Sequence, residues 1–206
     1  MALESSKNLG GIGAILIVIG LLPIPYAQGI LALVGLILLL IGLKGLADYY
    51  NEGGIFNNAL YAVILAIVGG VVAIATVVIS ALAALSSIGI DLANVANWAT
   101  LGTDLASRFT DFTNFSALWT LLGALVAALV ILFVFAIIAV FFFRRSLNRL
   151  SSKTGVRMFG TAGLLMLIGA VLTIIVIGVL LIWIAFILVA VAFFSIRAQP
   201  TQATPA

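Results

Sequence analysis

Two acidic residues, Asp48 and Glu52, stand four positions apart after the second apolar run of the chain. Two carboxylates at this spacing could hold a cation or work as an acid pair. They could equally solvate a turn, or pair with basic residues on the same side of a membrane. We favour these non-catalytic interpretations, because charged residues mixed with tyrosines beside an apolar run are typical of an interfacial turn.

Hydroxyl groups lie next to an amine in two triplets, Ser5 to Lys7 and Ser151 to Lys153. The chain contains no histidine, so a Ser-His nucleophile is impossible. A Ser-Lys pair stays open, but both lysines are expected at a wet interface, which favours the charged amine. We therefore predict that these serines cap helices.

Three glycines, Gly10, Gly11 and Gly13, open the first apolar run and could be read as a phosphate cradle. No strand precedes them and no Gly-Lys-Ser/Thr signature follows, so close helix packing is the better explanation. Cysteine and histidine are both absent, which removes disulfides, haem ligation through these residues and the usual zinc sites. We expect no cofactor, no metal site and no catalytic residue, and hence no enzyme.

The composition indicates a membrane protein. Of the 206 residues, 65% are hydrophobic and only 7% are charged, against about 25% charged in soluble domains. Apolar runs fill nearly the whole length, so residues 1–197 are predicted to form a single membrane domain. The basic residues cluster at the ends of these runs and form no face that could follow a phosphate backbone, so nucleic acid is not an expected partner.

Two uncharged runs, residues 9–43 and 158–196, are too long for one crossing each. As straight helices they would measure about 52 and 58 Å, against a hydrocarbon core of about 30 Å. Each must cross twice, with breaks at Pro23 to Gly29 and near Thr173 to Gly178. The prediction is an all-α fold with six transmembrane helices, at residues 9–23, 28–46, 55–85, 117–143, 158–174 and 178–196.

Three segments lie outside these helices. Residues 86–116 alternate apolar and polar residues at helical spacing, which predicts an amphipathic helical segment on the outer face; an ordinary structured loop is the alternative. Asn114 in this segment begins a glycosylation sequon, but it abuts the next helix and access should be poor. Residues 144–157 are predicted to form a basic cytoplasmic linker, and residues 198–206 a disordered tail.

The orientation follows from the basic segment at residues 144–157, which holds five of the nine cations and no acid. Placing it on the cytoplasmic side puts eight basic residues inside and Arg108 alone outside, as the positive-inside rule favours. Both termini are then cytoplasmic, and the first helix is expected to be retained, because no signal-peptidase pattern follows it. The residues that set this topology are Arg144, Arg145, Arg149, Lys153 and Arg157.

Small residues recur at every fourth position in the third and fourth predicted helices, so these helices are expected to pack closely. The alternative is that Ala and Gly are simply common in membrane helices. The predicted helix-packing residues are Ala62, Ala66, Gly69, Gly70 and Ala73 in the third helix, and Thr120, Gly123, Ala124, Ala127 and Ala128 in the fourth.

Polar landmarks within apolar sequence mark three stretches: LESSKNLGGIGAILIVIG, LKGLADYYNEGGIFNNALYAVI and LLMLIGAVLTIIVIGVLLIWIAFILVAVAFF. Together they resemble an archaeal family of multi-pass membrane proteins catalogued as Domain of Unknown Function 996. The resemblance covers nearly the whole chain and is weakest from Ser86 to Ser116. It implies a protein of an archaeal plasma membrane, and it supplies no catalytic residue.

The uncharged runs argue against a coupled transporter or pump, because ionisable residues inside the membrane mark such proteins. We predict a non-catalytic integral membrane protein with a structural or assembly role. It would contact the lipid bilayer and assemble with itself or, as an accessory subunit, with other membrane proteins. The alternative is a channel or facilitator for small or apolar solutes, with a pore of Gly, Ala, Thr and backbone.

Overall fold

The computed structural model describes residues 3–22, 28–87, 102–103, 115–175 and 177–197, and nearly all of these residues are helical. The chain divides into two compact units: the first unit comprises Met1–Leu65 and Ala136–Ala206, and the second unit comprises Ala66–Phe135. The helices of the described residues are α1 Leu3–Gly20, α2 Gln28–Tyr49, α3 Gly53–Ser87, α4 Phe115–Thr154, α5 Met158–Leu172 and α6 Ile177–Phe194, with a 3-10 turn at Thr173–Ile175.

Five of these helices, α2 to α6, are long and apolar enough to cross a membrane. The all-helical prediction is therefore confirmed for the described residues. Helix α1 differs because it begins at Leu3, six positions before the predicted start, and so includes Glu4 and Lys7. The sixth crossing and the orientation of the chain remain predictions.

Helices α1 and α2 form a hairpin whose backbones touch at glycines. A Cβ atom added to Gly13 would lie 2.5 Å from the Leu39 amide nitrogen and 2.6 Å from the Gly35 carbonyl oxygen. One added to Gly42 would lie 2.5 Å from the Gly10 amide nitrogen. The interpretation of the early glycines as helix-packing residues is confirmed, since any side chain would force these backbones apart.

Helices α5 and α6 form a second hairpin through the 3-10 turn, as predicted for this region. Gly169 and Gly178 bring the two backbones into contact on either side of the turn. The Phe159 and Phe193 rings meet edge to face, with centroids 5.2 Å apart, near the other end of the hairpin. Trp183 on α6 donates its indole N–H to the Val18 carbonyl oxygen of α1 at 3.0 Å, which links the two hairpins.

A tight turn joins α2 to α3. The Glu52 amide donates to the Ala47 carbonyl oxygen at 2.8 Å and the Asn51 amide to that of Asp48 at 3.3 Å. Asn51 has a φ of 51°, the left-handed conformation that Asn adopts more readily than most residues. These bonds form a Schellman motif, which ends α2 and fixes the position of Glu52.

The basic segment is not a linker over most of its length. Helix α4 was predicted to end at residue 143, but it continues to Thr154 and includes four of the five clustered cations. Leu147 and Leu150 are fully buried on this extension, so packing of an apolar stripe maintains the helix beyond the last phenylalanines. The helix stops where Gly155 adopts a φ of 75°, a conformation suited to glycine.

The core of the first unit is built from α1, α2, α5 and α6, together with the beginning of α3 and the end of α4. Its largest fully buried side chains are Leu39, Leu43, Leu46, Ile55, Leu147, Leu150, Phe159, Met166, Val189, Phe193 and Ile196. Most of them lie near the beginnings of α3 and α5 and the ends of α2, α4 and α6. This end of the first unit is therefore the best packed.

The second unit contains the later part of α3 and the earlier part of α4. A side chain at Gly69 would collide with the Phe135 ring, and Ala73, Ala124 and Ala128 are buried. The predicted amphipathic segment, apart from residues 86–87, 102–103 and 115–116, lies outside the described residues. So do Asn114, the prolines at 23 and 25 and the predicted tail.

Candidate functional site

Every charged residue that the structure describes belongs to the first unit. We call this set the charged end; its members are Glu4, Lys7, Lys44, Asp48, Glu52, Arg144, Arg145, Arg149, Lys153, Arg157 and Arg197. They lie at the starts of α1, α3 and α5 and at the ends of α2, α4 and α6. With eight cations and three carboxylates, the charged end has a net charge of +5.

Direct contacts hold these helix ends together. Lys7 donates to the Ile196 carbonyl oxygen at 3.4 Å, joining the start of α1 to the end of α6. The Ser146 hydroxyl of α4 donates to the Ile55 carbonyl oxygen of α3 at 2.5 Å and is fully buried. Arg144 packs against Gly163 of α5. The charges therefore share one end of the first unit.

The centre of this end is an ion-pair cluster around Glu52. Arg149 donates to one Glu52 carboxylate oxygen at 2.6 Å, and the Lys153 amine lies 3.8 Å from the other. Gly54 has no side chain to obstruct the Arg149 guanidinium, which passes directly over it. The cluster joins the turn between α2 and α3 to the last turns of α4.

The Arg149 hydrogen bond is the main reason why the pKa of the Glu52 carboxyl lies below its ordinary value of 4.5. The positive charges of Arg149 and Lys153 act in the same direction, whereas desolvation opposes them. Burial raises the pKa of the neighbouring Tyr50 phenol, and Tyr49 adds to that shift. Glu52 is thus held as a carboxylate and Tyr50 as a neutral phenol at neutral pH.

Asp48 belongs to a separate ion pair. The Lys44 amine lies 2.8 Å from the Asp48 carboxylate, one helical turn away on α2, and 5.5 Å from the centre of the Phe56 ring. Asp48 and Glu52 are therefore each paired with their own cations. The interpretation that Glu52 pairs with the basic segment agrees with this geometry, and the acid-pair interpretation does not.

The serine hydroxyls and lysine amines of the Ser-Lys hypothesis also contact other groups. Ser151 donates to the Val156 carbonyl oxygen at 3.0 Å and Ser152 to that of Arg149 at 2.8 Å, while Lys153 approaches Glu52. Both serines lie in the last turn of α4 and donate to carbonyl oxygens. The prediction that they cap the start of a helix is therefore wrong. Lys7 forms an ion pair with Glu4 at 2.9 Å.

The described part of the chain contains no candidate set of metal ligands, because no three residues of the types His, Cys, Asp and Glu come together there.

One polar atom of the charged end, the Arg144 Nε, is buried without a hydrogen-bond partner. Its guanidinium sits where α4 leaves the long apolar run, beside the close approach to α5.

The predicted helix-packing residues fall into two groups. Five are buried, namely Ala62, Gly69, Ala73, Ala124 and Ala128, whereas Ala66, Thr120, Gly123 and Ala127 are exposed and Gly70 is partly so. A Cβ atom added to Gly70 or Gly123 would meet no atom within 4 Å. Whether the exposed group packs against another chain remains a prediction.

Sequence reasoning did not identify the Ser146 bond or the α4 extension. The signal for both was the apolar spacing of Phe143, Leu147 and Leu150 through the basic segment, which continues the period of a buried helix face. Sequence reasoning also did not identify the bond from the Asn58 side-chain amide to the Gly54 carbonyl oxygen, at 2.5 Å.

The fold and its charged end define a multi-pass, all-helical membrane protein. The chain belongs to the family described as "Protein of unknown function (DUF996)", which matches residues 31–187, so the family resemblance is confirmed. It is also similar to the uncharacterized protein MJ1644 of Methanocaldococcus jannaschii, with 30% identity over 197 residues that cover 95% of this chain and 94% of that protein. No solved structure matches the chain.

Proposed function

We propose that this protein is a non-catalytic assembly protein of the membrane, which associates with copies of itself or with other membrane subunits. The observation that carries the proposal is a pair of outward lines of small residues in the second unit. We call them the small-residue lines: Ala66 and Gly70 on α3, and Gly123 and Ala127 on α4. Space is open beside both glycines.

Small residues favour association in lipid because they let two helix backbones approach closely and gain van der Waals contact. At Gly69, by contrast, the Phe135 ring already occupies the space beside the glycine. Gly70, the next residue, has no such neighbour. The open positions thus have the geometry that a partner helix requires.

The paired charges support the non-catalytic part of the proposal. In the described residues, each of the three carboxylates lies within ion-pair distance of a cation. Serine hydroxyls at 146, 151 and 152 donate to backbone carbonyl oxygens. These groups stabilise helix ends and turns, and the proposal gives them no further role.

Assembly is tested by the particle mass after gentle extraction of the full chain from its membrane, together with identification of the subunits. Ala66→Leu places a bulky side chain on a small-residue line, and we expect it to reduce the particle mass. Ala75→Leu is the matched control, because Ala75 is exposed and lies about 180° around α3 from Ala66. A wild-type monomer without partners would contradict the proposal and favour the facilitator interpretation instead.

We infer that the charged end lies on the cytoplasmic side of the plasma membrane. The positive-inside rule favours this orientation, because it places eight cations on the cytoplasmic side and Arg108 on the other. The chain has no cysteine, so a single introduced thiol reports its own accessibility. Ser152→Cys should react with an impermeant maleimide only after cells are permeabilised. Thr173→Cys, on the turn between α5 and α6, should react in intact cells; the reverse result would invert the orientation.

A further inference from the structure

An open groove lies between α2 and α3 at the charged end. Its walls are Ile37, Leu40, Ile41, Lys44, Gly45, Asp48 and Phe56, and it encloses about 330 Å³. That volume is at the lower end of the range of about 300–1,000 Å³ for ligand sites. The groove is apolar along most of its length and ionic at one end.

The groove follows the axis of a membrane-spanning helix. Residues 37, 40, 41, 44 and 48 recur at three- and four-residue spacing and so share one face of α2. From Ile37 to Lys44 the rise is about 10 Å. Lys44 and Asp48 stand in the last two turns of the span, next to Tyr49 and Tyr50. The apolar part is thus at the depth of acyl chains, and the ionic part is at the depth of headgroups.

Lys44 is suited to bind an anion at the mouth of the groove. Its side chain is half exposed and its ammonium group has three N–H donors, of which Asp48 accepts one. A single exposed ion pair contributes little stability, so the amine can bond a second acceptor. The net charge of +5 at this end attracts anions and repels a cationic headgroup.

We propose that this groove binds one membrane phospholipid with an anionic headgroup. An acyl chain would lie along Ile37, Leu40 and Ile41 and cover the Phe56 ring. A phosphate oxygen would accept a hydrogen bond from Lys44, while Asp48 competes with it as the internal counter-ion. The inference concerns only the first unit and is independent of assembly through the small-residue lines.

The headgroup part is tested by native mass spectrometry of the detergent-solubilised full chain, titrated with phosphatidylglycerol or with phosphatidylcholine. Phosphatidylglycerol should bind more tightly. Lys44→Gln should weaken its binding about tenfold, as loss of a charge-assisted hydrogen bond implies, and Asp48→Asn should strengthen it. Arg145→Gln removes one cation from the same end without touching the groove, and should weaken binding of the first lipid much less than Lys44→Gln does.

The acyl-chain part is tested by filling the groove. Ile41→Trp, and Ile37→Trp as a second variant, should weaken binding of both lipids. Ile168→Trp is the matched control, since Ile168 is 44% exposed on α5 and away from the groove. Glycerol phosphate, which has the headgroup phosphate but no acyl chain, should not displace the lipid.

Several outcomes would overturn the proposal. Equal affinity for the two lipids, or equal losses of phosphatidylglycerol affinity from Lys44→Gln and Arg145→Gln, would rule out the headgroup site. Equal lipid affinities of the three tryptophan variants, or displacement of the lipid by glycerol phosphate, would rule out the acyl-chain site. Thermal midpoints close to that of the wild type show that a variant is folded, and they separate loss of binding from loss of structure.

Discussion

The close approach of α1 and α2 makes a sharp prediction for Gly13→Ala. The added Cβ atom would lie 2.5 Å from the Leu39 amide nitrogen, whereas ordinary contact begins at 3.4 Å. The helices must therefore separate locally by about 0.9 Å. Backbone atoms cannot rotate away as a flexible side chain can, so the strain falls on the surrounding core.

Overpacking of this kind typically costs about 1–3 kcal/mol. For a chain of this size, 1 kcal/mol shifts the unfolding midpoint by about 2–4 °C. We expect Gly13→Ala to lower the thermal midpoint in detergent by about 2–12 °C. Separation of the helices should also weaken the bond between Trp183 and the Val18 carbonyl, which a change in the fluorescence of Trp183 would report.

Gly29→Ala is the matched control, because Gly29 is exposed on α2 and the same methyl group enters open space there. Alanine also favours a helix over glycine by up to about 1 kcal/mol, so the midpoint should stay constant or rise. The reasoning fails if the two variants unfold at the same temperature, since the added atom would then meet no resistance between α1 and α2.

Two further predictions concern the turn between α2 and α3. Glu52→Gln should lower the thermal midpoint at pH 7, because it removes the carboxylate that pairs with Arg149. The folded state lowers the pKa of Glu52. The stability that the Glu52 carboxylate contributes is therefore lost as the pH falls below about 4.5 and through the lowered pKa. Midpoints of the two proteins measured from pH 7 to pH 3 should therefore converge, and a constant difference would contradict this assignment. Asn51→Ala should lower the free energy of unfolding by about 1–2 kcal/mol, since alanine resists the left-handed conformation, whereas Asn51→Gly should be tolerated. Equal losses of unfolding free energy for the two variants in chemical denaturation would refute the strained turn.

Much of the fold could be predicted because chain length and bilayer thickness allow few arrangements. The run at residues 158–196 had to turn back, and the turn lies where Thr173 and Gly178 indicated. The end of α4 was less accessible. Cations after an apolar run are typical of a membrane boundary, so Arg144 and Arg145 suggested the end of a helix. Helix α4 continues past both arginines because Leu147 and Leu150 are buried.

The packing faces show a limit of sequence reasoning in membranes. In a soluble helix the polar face marks the outside, but α3 is apolar all round, so small-residue spacing alone cannot choose between Gly69 and Gly70. Only the Phe135 ring distinguishes them. At the candidate site, the pairing of Glu52 with the basic segment could be anticipated from charge alone. The Schellman turn that positions Glu52 required the backbone.

The gathering of charge at one end of the first unit bears on how the protein enters its membrane. The segments that connect α1 to α2 and α5 to α6, residues 21–27 and 173–176, contain no charged residue. In the proposed topology, insertion from the side that keeps the charged end would carry only an uncharged turn of each hairpin through the lipid. The connection between α3 and α4 would instead translocate Asp91, Asp104, Arg108 and Asp111. Biogenesis would then divide into two hairpins that can partition into the bilayer directly and one connection that depends on the translocation machinery.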